Sequence, residues 1–145
     1  IEDRKYQVIK NGIDLDKYTY SKEKYTSIRQ KLRWDENPVI LYVARMNHQK
    51  NPFFALEIMH ALNKEIPNVM MAYIGDGELK KDIEKYISER NIKNISFMGI
   101  RDDVNQLMIA SDILILPSLF EGLPIVSVEA QAAGLPTLLS DNVSK

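Results

Sequence analysis

Val39-Ile40-Leu41-Tyr42-Val43-Ala44 is an unbroken apolar run. A strand with one wet face alternates apolar and polar side chains. This one does not, so both of its faces must be covered, as in a parallel sheet between two helical layers. The pattern repeats along the chain. Val69-Met70-Met71-Ala72-Tyr73-Ile74 is a second run, closed by Gly75-Asp76-Gly77. Ile95-Ser96-Phe97-Met98 is a third, closed by Gly99. Ile113-Leu114-Ile115-Leu116 is a fourth, closed by Pro117, and Thr137-Leu138-Leu139 is a fifth.

Helical patterns fill the gaps. Asn51-Pro52 reads as N-cap and first helical residue, followed by the apolar stripe Phe53, Leu56, Met59, Ala61 and Leu62. Glu78 to Arg90 places Leu79, Ile83, Tyr86 and Ile87 at helical spacing, with an acid in the first turn and a base in the last, as the helix dipole favours. Val104 to Ala110 is a short helix. Pro124 to Ala133 is another, with Gly134 placed just past its end and Pro136 beyond. Ser21 to Arg33 is more polar and is predicted to lie on the surface. Strand and helix alternate at intervals of roughly 20–30 residues, which is the mark of repeated βαβ units. The fold class is therefore α/β, a Rossmann-like doubly wound parallel sheet.

The bulk numbers agree. The chain has 145 residues, 19 Lys+Arg against 20 Asp+Glu, 45% hydrophobic residues and no cysteine. A chain of this length can bury about 68–70% of its unfolded surface, enough for a core without staples. Balanced charge leaves no basic excess for nucleic acid. The lack of cysteine excludes disulfides, thiolate zinc sites and cysteine nucleophiles, and it is compatible with a cytoplasmic protein. No apolar run approaches the roughly 20 residues that span a bilayer. The chain opens on Ile1 and stops at Asp141-Asn142-Val143-Ser144-Lys145 with no helix after the last strand. The expectation is one domain, residues 1–145, cut from a longer protein.

Ligands of open α/β sheets bind beyond the carboxyl ends of the strands, so the residues after each strand are the candidates. Arg45-Met46-Asn47-His48-Gln49-Lys50 puts two cations beside a helix start, which suits an anion; by spacing alone it is equally a solvated loop. Gly75-Asp76-Gly77 permits close backbone approach to a ligand, or is a plain turn with Asp76 capping the next helix. Gly99, in Phe97-Met98-Gly99-Ile100-Arg101, could offer backbone groups to a flat ring, or simply lie in a loop. The most informative stretch is Ser118-Leu119-Phe120-Glu121-Gly122-Leu123-Pro124-Ile125-Val126-Ser127-Val128-Glu129-Ala130. Its helix is apolar apart from Glu129, and a carboxylate in such surroundings needs a hydrogen-bonding partner, or its pKa rises. A pair of ligand hydroxyls would serve, and so would a neighbouring lysine. The N–H groups of Ile125 and Val126 are free to meet a phosphate. His48 and His60 have no ligand-spaced partner and read as loop and helix surface. Met59, Met70, Met71 and Tyr73 read as core. Two cations, helix N-termini and two carboxylates suit a ligand that is anionic at one end and hydroxyl-rich elsewhere, such as a nucleotide-diphosphate sugar.

Glu121 and Glu129 within Pro117–Ala130 resemble the signature of the group 1 retaining glycosyltransferases of the GT-B fold. The order of the other landmarks also resembles that family: Val8-Ile9-Lys10-Asn11-Gly12-Ile13-Asp14, then Arg45 to Lys50, Gly75-Asp76-Gly77 and Phe97-Met98-Gly99. Two departures stand out. Lys10 occupies a place where proline often precedes Asn-Gly, and Ala44 one where glycine often precedes the arginine. The resemblance implies the C-terminal, donor-binding half of a two-domain enzyme, with an acceptor domain preceding it. It implies that Arg45 and Lys50 neutralise the donor diphosphate and stabilise the leaving group, and that Glu121 contacts the transferred sugar; these three are the catalytic candidates. It implies that Glu129 holds the ribose, that backbone from Gly122, Leu123 and Pro124 to Ile125 and Val126 touches sugar or phosphate, and that Met98, Gly99 and Ile100 read the base. Gly75 and Gly77 complete the donor-binding set. No metal and no cofactor are expected, the donor itself being a substrate. The implied partners are the nucleotide-sugar donor and the missing domain, with no nucleic acid; any membrane attachment of the whole protein is expected in the missing half. The implied function is transfer of a sugar, most naturally from a UDP-sugar, with retention, in bacterial surface polysaccharide synthesis. Alternatives are a non-catalytic nucleotide-sugar binding module and a GT-B nucleotide-sugar epimerase. A receiver-like signalling domain would need acids after the first strand, where Arg45 stands instead.

Overall fold

A computed structural model describes residues 12–143. Helices and strands alternate in the order α1 (Lys22–Leu32), β1 (Val39–Val43), α2 (Pro52–Glu65), β2 (Met70–Ile74), α3 (Lys80–Arg90), β3 (Ile95–Gly99), α4 (Val104–Ala110), β4 (Ile113–Leu116), α5 (Ile125–Ala132) and β5 (Thr137–Leu139). Short 3₁₀ turns lie at Leu15–Tyr18 and His48–Lys50. The predicted opening segment Val8–Asp14 lies mostly outside the described residues.

The five strands form one parallel sheet in the order β3-β2-β1-β4-β5. The doubly wound class expected from the apolar runs is what the chain adopts. Side chains alternate across β1 as the pleat requires. Val39 and Leu41 face a core shared with Ile28 and Leu32 of α1, Leu107 and Met108 of α4 and Ala130 of α5. Ile40 and Tyr42 face the opposite core, with Ala55, Leu56 and Met59 of α2 and Ile83 of α3. Tyr42 packs edge-on against Tyr73 of β2, ring centroids 4.6 Å apart. Met59, Met71 and Tyr73 are fully buried, as expected of core residues.

From β1 the chain winds outward through β2 to β3, then crosses back to place β4 on the other flank of β1. The winding direction reverses between β1 and β4. At such a switch point the loops leaving the two strands diverge and open a crevice at their carboxyl ends. Those loops are residues 44–51 and 117–124.

Four local expectations change. Helix α1 does not merely lie on the surface: Arg29 is 4% exposed. Its guanidinium donates to the carbonyls of Asp35 (2.9 Å), Ala110 (2.8 Å) and Asn37, and to Asp112 Oδ2 at 3.2 Å. Period alone missed it, because an arginine on a polar helix looks solvated until the loops around it are placed. Asn51 caps nothing with its side chain; it sits in the left-handed region, φ 53°, between the 3₁₀ turn and α2, a conformation asparagine tolerates. Asn47 does the capping, its Oδ1 accepting the Lys50 N–H at 3.1 Å. Helix α3 begins at Lys80 rather than Glu78, with Leu79 at the N-cap, so Asp76 is not its cap. Pro124 is the N-cap of α5, not its first residue. Gly134 takes the left-handed place past α5 as predicted, φ 71°.

Candidate active site

The loop after β1 is fixed by backbone contact with the loop after β2. The Ala44 N–H donates to Ile74 O at 3.0 Å and the Met46 N–H to Asp76 O at 2.9 Å, while the Leu79 N–H donates to Met46 O at 3.0 Å. Such close approach leaves no room for side chains. A Cβ on Gly75 would stand 2.0 Å from Ala44 O, and one on Gly77 would stand 2.5 Å from Met46 O. Gly75 also needs its positive φ of 135°. What these glycines approach is the chain itself. The Gly75 N–H in turn donates to Gly99 O at 2.8 Å, so this carbonyl of Gly99 already has a donor. Backbone contacts thus link the carboxyl ends of β1, β2 and β3.

Lys50 is held from below. The buried Tyr42 hydroxyl donates to Lys50 O at 2.6 Å. Burial, reinforced by neighbouring Tyr73, keeps the Tyr42 phenol protonated well above the usual tyrosine range. The Tyr73 hydroxyl, also buried, has no hydrogen-bond partner among the described residues. On the other side, the Leu119 N–H donates to Gln49 O at 2.8 Å and Gln49 Nε2 to Phe120 O at 3.1 Å. The two loops of the switch point are therefore laced together. Lys50 Nζ meets Glu121 Oε1 in an ion pair, and Ser118 Oγ donates to the same oxygen at 3.1 Å. Ser118 is fully buried, and its carbonyl accepts from Ser140 Oγ at 2.5 Å.

Between these loops lies a hollow of about 450 Å³ lined by Val43, Ala44, Arg45, Asn47, Gln49, Lys50, Pro124, Ile125 and Val126. Arg45, Lys50 and the start of α5 share its wall, and Glu121 joins it through Lys50. Glu129 is not part of the wall. It lies one turn further along the α5 face that carries Ile125 and Val126, where its Oε1 accepts from the Tyr18 hydroxyl at 2.7 Å. The hydrogen-bonding need foreseen for Glu129 is met by Tyr18, which the sequence reading did not single out. Burial, then the carboxylate itself, pushes the Tyr18 pKa up to about 12. Gly122 has open space around it, and Leu123 is exposed. Met98, Gly99 and Ile100 lie at the end of β3, two strands from β1, with Ile100 84% exposed. A second hollow of about 420 Å³ lies between the Leu15–Tyr18 turn, α1 and α4, and contains none of the predicted site residues.

Chemically, the first hollow presents two cations and the free N–H groups of a helix start, which together suit an anion. Beside the hollow, paired with Lys50, stands the Glu121 carboxylate, which can accept hydroxyl hydrogens. The family profile "Glycosyl transferases group 1" matches residues 24–144. The chain belongs to this family. It is 35% identical to the UDP-Gal:alpha-D-GlcNAc-diphosphoundecaprenol alpha-1,3-galactosyltransferase of Escherichia coli, over 97% of the chain and 38% of that protein. It is 31% identical to the putative glycosyltransferase EpsF of Bacillus subtilis, over the whole chain and 38% of that protein. The crystal structure of WaaG, a glycosyltransferase involved in lipopolysaccharide biosynthesis, superimposes with a TM-score of 0.84 at 27% identity, covering 94% of the chain and 38% of WaaG. HepE from Anabaena, solved with UDP and glucose, superimposes with a TM-score of 0.82 at 27% identity, covering 94% and 38%. The chain spans a little over a third of the length of these proteins. The fold is that of GT-B glycosyltransferases. Among the described residues no helix is long and apolar enough to cross a membrane.

Proposed function

We propose that the chain is the donor-binding half of a retaining glycosyltransferase that takes a sugar from a nucleotide-diphosphate sugar, a UDP-sugar first among them. The observation that carries this is the single hollow shared by Arg45, Lys50 and the N-terminus of α5, with Glu121 joined to Lys50. The UDP-galactose named for the E. coli relative and the UDP in the HepE crystals support the choice of nucleotide. Relatives acting in lipopolysaccharide assembly support a place in bacterial surface polysaccharide synthesis. For the whole protein this means the cytoplasm, with any membrane contact made by the preceding acceptor half.

In this reading the diphosphate lies against Arg45, Lys50 and the N–H groups of Ile125 and Val126. These cations supply the compensating charge, so the proposal includes no metal. Glu129, held by Tyr18, receives the ribose hydroxyls. Glu121 receives hydroxyls of the transferred sugar and sets the position of its anomeric carbon. Leu123 and Gly122 border the sugar, and the backbone of Met98 to Ile100 borders the base. Gly75 and Gly77 act behind the site, by letting the Arg45 loop seat. The bond from the anomeric carbon to the phosphate oxygen breaks. The acceptor oxygen bonds that carbon from the same face, and the acceptor proton passes to the departing phosphate oxygen. Arg45 and Lys50 then face more negative charge than before, which stabilises the transition state.

Calorimetry with UDP, GDP and ADP tests the reading. Lys50→Ala and Glu129→Ala are each expected to weaken the preferred nucleotide about tenfold or more, the size of a lost charge-assisted contact. Unchanged affinity in both variants would refute the site.

A further inference from the structure

The inference below rests on the reading of the hollow as a nucleotide-sugar site and deepens it. The two cations of the hollow are not equivalent. Arg45 is exposed and takes part in no ion pair among the described residues. Lys50 is neutralised by Glu121, and the two side chains are only 21% and 10% exposed. Both groups that satisfy Glu121, the Lys50 ammonium and the Ser118 hydroxyl, converge on one oxygen, Oε1. Tyr42 holds the Lys50 backbone from the core side, so Lys50 can change partner only by swinging its side chain.

We propose that Glu121 is a resident anion at Lys50, and that its displacement makes the site select the intact donor over the bare nucleotide diphosphate. Either ligand draws Lys50 to its phosphates and so strips the cation from Glu121. A largely buried carboxylate left with one hydroxyl donor is costly. The intact donor offsets that cost, because its sugar hydroxyls donate to Glu121 as Lys50 leaves. The bare diphosphate carries no such hydroxyls and bears the cost in full. After transfer the sugar is gone, Glu121 reclaims Lys50, and the product is loosened. One acid thereby both positions the sugar and hastens release of the leaving nucleotide.

The test is calorimetry of this chain with UDP, GDP and ADP and with UDP-glucose, GDP-glucose and ADP-glucose, followed for the pair that wild type binds. Glu121→Gln keeps the shape and removes the charge. It is expected to tighten the bare diphosphate about tenfold, as a half-buried cation is freed, and to narrow the preference for the sugar-bearing ligand. Ser118→Ala acts in the opposite direction: it deprives Glu121 of its remaining donor, so the bare diphosphate weakens more than the sugar-bearing ligand. Weaker or unchanged diphosphate binding in Glu121→Gln overturns the proposal, and so does a Ser118→Ala variant that weakens both ligands equally. If wild type binds none of the six compounds, the nucleotide-sugar reading itself fails, and this inference with it. Arg45→Gln separates the two ideas further: it is expected to weaken both ligands in equal proportion.

Discussion

Gly75 shows how far a single position reaches. Its missing side chain lets the carbonyl of Ala44 come within a distance no Cβ tolerates, and the arginine of the hollow is the next residue along. Gly75→Ala must either push Ala44 and Arg45 away or abandon the backbone bonds beside them. The expected cost is about 2–3 kcal/mol of stability, with nucleotide affinity lost alongside. Thermal unfolding and calorimetry check both. The sequence made this turn visible but not its reason, because two glycines flanking an aspartate look the same whether they face a ligand or a neighbouring strand. The site charges had the same limit. Arg45, Lys50 and Glu121 could each be placed after a strand, yet Lys50 and Glu121 are 71 residues apart and their pairing is a product of the fold. The link from Tyr18 to Glu129 spans 111 residues and left no local trace at all.

At the scale of elements, the central apolar runs were legible because burial on both faces removes polar residues from a strand, and their alternation with helical patterns pointed to a parallel sheet. Helix α1 was legible only as a helix. Its anchoring side chain, Arg29, binds carbonyls of the α1–β1 connection and of the end of α4, and these carbonyls have no signature in sequence. Arg29→Ala is expected to cost about 3 kcal/mol by orphaning those acceptors. Arg29→Lys should recover little, since one ammonium cannot reach groups spread around a planar fork. Urea unfolding of the two variants decides the point. The start of α4 carries a pH-sensitive pair. Arg101 Nε and Nη2 reach Asp103 Oδ1 and Oδ2 at 2.7 and 2.6 Å. Arg101's hydrogen bonds hold the Asp103 carboxyl below its ordinary range. The unfolded chain therefore binds this proton more readily than the folded one. The pair's stabilisation is present above the usual carboxylate pKa of about 4 and is lost as pH falls through the lower folded value. Melting temperature measured against pH should separate wild type from Asp103→Asn near neutrality, and the two curves should converge in acid.

For the molecule as a whole, the sheet has a core on each face, and the switch between β1 and β4 opens the crevice where the charged loops meet. In the proposed reading, transfer requires an acceptor brought to the mouth of that crevice, and misplacement of about 1 Å can cost 100-fold. The chain by itself is accordingly expected to bind a donor and to turn none over; release of free nucleotide, followed with an acceptor present, checks this. The seam joining residues 44–46 to 75–77 and on to Gly99 is made of main chain and is indifferent to most side chains around it. On the proposed reading, a new base preference is to be sought at Ile100, which is exposed and takes no part in the main-chain bonds of that seam. Positions 75 and 77 are closed to substitution, because there the absence of atoms is what the architecture uses.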